Sequence, residues 1–89
     1  MKKHQRLYNA YGNRCSHCGT TNKWFGILDS YAESYLTLDH IVPRSLGGKN
    51  NTMNLQPLCW KCNSVKGSDI SRMKEDQEKR MNIYLLTGV

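Results

Sequence analysis

Two long stretches of this chain contain no acid. Residues 1–28 carry Lys2, Lys3, Arg6, Arg14 and Lys23 with no carboxylate, and residues 40–68 carry Arg44, Lys49, Lys61 and Lys66, again with none. Also missing is any apolar run of the length a membrane helix or the core of a secretory signal needs. The basic start, Met1-Lys2-Lys3-His4-Gln5-Arg6, is followed by no such segment, so the cytosol is the expected compartment. Apolar residues make up 38% of the 89 positions and only one is Phe, which is thin material for a core. A chain of this size buries only about 60–65% of its unfolded surface. Its core therefore calls for a metal or disulfides.

The four cysteines answer that need. They form two pairs, Cys15-Ser16-His17-Cys18 and Cys59-Trp60-Lys61-Cys62. In a compartment that keeps thiols reduced, two Cys-x-x-Cys pairs read as one tetrahedral zinc site. A redox motif needs no second matching pair. His17 lies inside the first knuckle, but the Cys₄ set is complete without it. The net charge of +6 suits a polyphosphate partner, although a basic surface kept for solubility reads the same way.

One domain is expected over 1–89, with a core at 15–67. A short helix is expected at about 3–13, with Leu7, Ala10 and Tyr11 on one face. The apolar cluster Trp24, Phe25, Ile27 and Leu28 reads as a strand or a packed loop. Tyr35–His40 reads as a strand with Leu36, Leu38 and His40 on one face and Tyr35, Thr37 and Asp39 on the other. A loop with turn chemistry runs from Ile41 to Asn54, and loops this long in small domains are usually functional. Leu55–Leu58 reads as a second strand, restricted to an edge by Pro57. A helix follows from Cys59 to Lys66, closed by Gly67. The last helix is expected at about 69–86, capped by Ser68, with Ile70, Met73, Met81 and Tyr84 as a narrow apolar stripe.

Asp39 is the one acid between residues 34 and 68, and it precedes a histidine. A lone carboxylate in a phosphate-attracting stretch suggests a bound hard cation. Imidazole titrates near neutrality, which makes His40 the natural general base. Ordinary alternatives are a strand-end acid and a core histidine.

The run Leu38-Asp39-His40-Ile41-Val42-Pro43, then Gly47-Gly48, then Asn54-Leu55-Gln56-Pro57-Leu58-Cys59-Trp60-Lys61-Cys62-Asn63-Ser64-Val65-Lys66-Gly67, closely resembles the HNH endonuclease family. With the first cysteine pair the resemblance covers residues 15–67. It implies an α+β fold, a small ββα-metal (His-Me finger) domain with a Cys₄ structural zinc site and flanking helices. It further implies that Asp39 and Asn63 hold one catalytic divalent ion and that His40 is the base. Asn54 is implied to tie the loop and orient His40. Many members carry His where Asn63 stands; an amide oxygen suits Mg²⁺ or Mn²⁺ better than softer ions. The implied activity is cleavage of double-stranded DNA with weak sequence specificity, by nicking or double-strand cutting. Arg44, Lys61 and Lys66 are candidate phosphate contacts, or plain basic surface. A zinc DNA-binding module without activity and an adaptor whose last helix binds a protein partner are the competing readings. The compactness suits a phage-encoded, standalone enzyme of this family.

Overall fold

The computed structural model describes residues 4–21 and 36–89. The expectations for Trp24, Phe25, Ile27, Leu28 and Tyr35 lie outside these residues. In chain order the elements are helix α1 (Gln5–Ala10), strand β1 (Leu36–His40), strand β2 (Leu55–Cys59), helix α2 (Trp60–Lys66) and helix α3 (Met73–Thr87). Two short 3₁₀ turns, Arg44–Leu46 and Thr52–Asn54, punctuate the long loop.

The strands pair antiparallel, with Leu36 opposite Cys59, Asp39 opposite Gln56 and His40 opposite Leu55. This small α+β arrangement, with its sheet, helices and clustered cysteines, is the one the sequence implied. All five residues of β2 are buried. Pro57 sits within β2, and its carbonyl accepts a hydrogen bond from Ser16 N at 2.8 Å, so the first knuckle covers that edge.

Among the described residues the core has two parts. Cys15, Leu36, Leu58 and Cys59 form one, with Tyr8 and Cys62 against it. Leu7, Tyr11 and Leu55 form the other, with Leu38, Ile83 and Val89. Burial on this scale contributes about 25 cal/mol per Å² of apolar surface, and few large side chains are available to supply it.

Three sequence expectations need correction. The first helix is shorter than 3–13, because His4 at its start and Asn13 beyond its end both take positive φ. The last helix starts at Met73 rather than 69, and Ser68 does not cap it. Asp69 instead accepts hydrogen bonds from Ser71 N and Ser71 Oγ, a local turn that competes with helix. The expected apolar stripe is also absent: Ile70, Met81 and Tyr84 are exposed, and the buried residues of α3 are Asp76 and Arg80. The polar pair is bonded there in part, Arg80 Nη1 and Nη2 having no partner among the described residues. Asp76 accepts from Gln56 and lies against His17, and Arg80 Nε donates to Thr52 O. Trp60 is exposed on α2.

Candidate metal centres and active site

The first knuckle is a tight loop bracketed by an Arg14–Thr21 bridge, with Gly19 at φ 78° completing the turn. The second knuckle turns from β2 into α2, where Cys59 is the N-cap. In each knuckle an amide points at the first sulfur: Cys18 N to Cys15 Sγ at 3.5 Å and Cys62 N to Cys59 Sγ at 3.4 Å. The four Sγ atoms lie within 4.8 Å of one another. Cys18 Sγ and Cys59 Sγ are 3.8 Å apart. Tetrahedral zinc with Zn–S bonds of about 2.3 Å requires sulfurs about 3.8 Å apart. All four are free thiols.

Their acidities diverge, as expected for thiols packed together. Burial pushes Cys15 up, but backbone amides of Cys18, Cys59 and His17 outweigh it and bring it down to about 7. Burial pushes Cys62 well up, and shared hydrogen bonds with the other thiols push it further. Burial likewise raises Cys59. Four thiolates cannot share this space without a cation, and zinc supplies one. His17 stands apart from the sulfurs, with Nε2 3.0 Å from each Asp76 oxygen.

A separate cleft of about 310 Å³ is lined by Asp39, His40, Arg44 and Asn63, among others. Asp39 and His40 end β1, and Asn63 is one turn into α2, directly after a zinc-site cysteine. Asn63 Nδ2 donates to Thr37 Oγ1 at 2.8 Å, which leaves the amide oxygen as its free end. Asp39 is buried and receives Gln56 Nε2 at 3.0 Å. Lys66 Nζ lies 3.2 Å from its Oδ1 and 3.1 Å from its Oδ2, and also donates to His40 O. A carboxylate offers about four lone-pair directions, so one remains open. One carboxylate and one amide oxygen beside a shared cleft form a hard donor set that fits Mg²⁺ or Mn²⁺.

His40 Nε2 is 3.0 Å from Asn50 Oδ1. With that oxygen accepting, the proton sits on Nε2 and the lone pair on Nδ1. Asn54 does not touch the ring. Its side chain closes the loop by accepting from Val42 N and donating to Val42 O and Lys49 O. Its backbone carbonyl accepts from Ile41 N. Lys66 is turned inward, whereas Arg44 and Lys61 are exposed.

Sequence reasoning missed Asn50, Gln56 and Asp76 as site neighbours. Gln56 carried a signal, since pairing Leu55–Leu58 with the Asp39 strand puts it across from the carboxylate. Asn50, in a turn, and Asp76, in a run of charges, carried none.

A family model described as HNH endonuclease matches residues 15–69, which takes in both knuckles, both strands and α2. No curated protein and no solved structure matches the chain.

Proposed function

From the chain's membership of the HNH endonuclease family, we propose that it is a metal-dependent endonuclease hydrolysing DNA phosphodiester bonds. The observation that carries this reading is the convergence of Asp39, His40 and Asn63 on one cleft. Family membership itself supports nucleic-acid binding and a nuclease fold.

In this proposal Asp39 and Asn63 would hold a Mg²⁺ or Mn²⁺ ion. When bound, the ion supplies charge stabilisation at the phosphorus and at the departing oxygen. His40 Nδ1 accepts a proton from the attacking water as its oxygen bonds to phosphorus. The P–O bond to the leaving oxygen breaks and that oxygen departs with the electron pair. Asn50 keeps Nε2 as the donor side of the ring, and Asn54 holds the loop beneath it. A base typically contributes about 10²–10⁴-fold, so positioning and the ion supply the remainder. Arg44 and Lys61, exposed near α2 and the loop, contact backbone phosphates. Nothing resembling a base-reading helix is evident among the described residues, in keeping with double-stranded DNA bound with weak sequence preference. Zinc at Cys15, Cys18, Cys59 and Cys62 is structural.

Supercoiled plasmid with Mg²⁺ tests this. The wild-type chain should nick or linearise it, and chelator should stop it. His40→Ala should lose at least 100-fold while staying folded and zinc-loaded, in line with the contribution of about 10²–10⁴ above. Full activity in His40→Ala would remove the mechanism. A second reading, a zinc DNA-binding module without cleavage, draws on the neutralisation of Asp39 by Lys66. Plasmid binding without nicking would favour it.

A further inference from the structure

We propose that Asp76, on α3 and outside the family-matched residues 15–69, is a positioning residue for Asp39 that acts through Gln56. The inference rests on the reading of Asp39 as ligand of the divalent ion.

Gln56 Nε2 donates 3.0 Å to Asp39 Oδ2 and 3.0 Å to Asp76 Oδ2. The three side chains are buried, Gln56 completely. The direction of the amide is forced, because two ionised carboxylates only accept hydrogen bonds and the NH₂ end alone can face both. Gln56 Oε1 has no partner among the described residues. The two carboxylates alone therefore fix the rotation of the amide.

Asp76 is itself held. His17 Nε2 lies 3.0 Å from both of its oxygens, and Lys79 Nζ, one turn along α3, donates to Ser16 O at 2.7 Å. A continuous polar chain thus runs from the first zinc knuckle through α3 and β2 to Asp39. It ends on the Asp39 carboxylate, which lines the cleft.

Removing the charge on Asp76 has two consequences. The charge-assisted bond that anchors the amide becomes a weaker neutral one, and Gln56 then holds Asp39 less firmly beside the Lys66 contact. A buried negative charge near the cation site is also lost, and poorly solvated charges act strongly at short range. Groups that orient metal ligands from behind typically change metal affinity 10–100-fold when removed. A helix present only for bulk stability would change melting temperature and leave affinity alone.

The test uses the full zinc-loaded chain and Mn²⁺ alone, with free Mn²⁺ followed by electron paramagnetic resonance. Asp76→Asn and Gln56→Met preserve size and should each weaken Mn²⁺ binding about tenfold or more at unchanged zinc content. In the ¹⁵N-labelled wild type, the Gln56 side-chain amide should shift on addition of Mg²⁺, a readout that requires no variant to fold. Unchanged Mn²⁺ affinity in folded, zinc-loaded Asp76→Asn would overturn the proposal, as would a Gln56 amide that ignores Mg²⁺. Failure of the nuclease reading is separately visible. A wild type that never cuts DNA, but loses Mn²⁺ affinity on Asp76→Asn, keeps the positioning role and loses catalysis. Cleavage that depends on His40, with Mn²⁺ affinity indifferent to Asp76, does the reverse.

Discussion

Lys66 is the residue whose burial matters most for the candidate site. Its ammonium and the Asp39 carboxylate are 5% and 6% exposed, and each neutralises the other. Removing one member of a buried pair leaves the other uncompensated and costs about 3–5 kcal/mol. Lys66→Met should therefore lower the melting temperature, and Mg²⁺ should restore more of it than it adds to wild type, because the ion replaces the lost positive charge. Melts with and without Mg²⁺ decide this; an equal response in both proteins would contradict it. Tyr11 gives a pH dependence. Burial raises its hydroxyl from 10.0 to about 12, with Arg80 pulling it back and Asp76 adding to the rise. A raised acid favours the neutral form in the folded state, so this stability is complete below about pH 10 and lost as pH rises through about 12. Urea midpoints across that window should fall in wild type and fall less in Tyr11→Phe. The hydroxyl has no partner among the described residues, so Tyr11→Phe should cost nothing at neutral pH.

At the scale of elements, the loop between the strands is held by a close crossing. A Cβ on Gly48 would overlap the Val42 carbonyl oxygen. Val42 cannot yield, because both its N and its O are bonded to the Asn54 side chain. Gly48→Ala should cost about 1–3 kcal/mol or more as an overpacked site. It should also disturb the His40 contact with Asn50 while zinc content stays intact; denaturant titration with metal analysis checks both. The elements show why the sequence was legible in parts. β1, β2 and both knuckles declare themselves through local alternation and spacing, and their partners follow from that pattern. The inward face of α3 does not. Asp76 and Arg80 are buried by partners 20, 28 and 59 residues away, namely Gln56, Thr52 and His17. Periodicity registers apolar faces, and this face is polar. Asp39, His40 and Asn63 were readable as a set, whereas the contact of Asn50 with the His40 ring depends on a turn whose shape no local pattern specifies.

For the molecule as a whole, the four-cysteine cluster is where the two knuckles meet, and zinc there would fasten them together. Cys15 and Cys18 meet Cys59 and Cys62 across about forty residues of chain. Structural zinc sites contribute about 10–16 kcal/mol, comparable with the entire stability of a small domain at about 5–15. Chelation strong enough to strip the site should therefore unfold the chain in one step, followed by loss of far-ultraviolet circular dichroism and recovered on adding zinc. Retention of structure in a metal-free, reduced sample would contradict this.

Pro57 has a consequence for the molecule's behaviour in a crowd. A residue in a strand projects its N–H and C=O to the same side. The Pro57 carbonyl faces the first knuckle, where Ser16 N already occupies it, and proline has no N–H to offer beside it. At Pro57 the outer border of β2 thus offers neither a free donor nor a free acceptor to a foreign strand. In the two-stranded sheet of the described residues, this closes β2 at its middle to self-templated growth on that side.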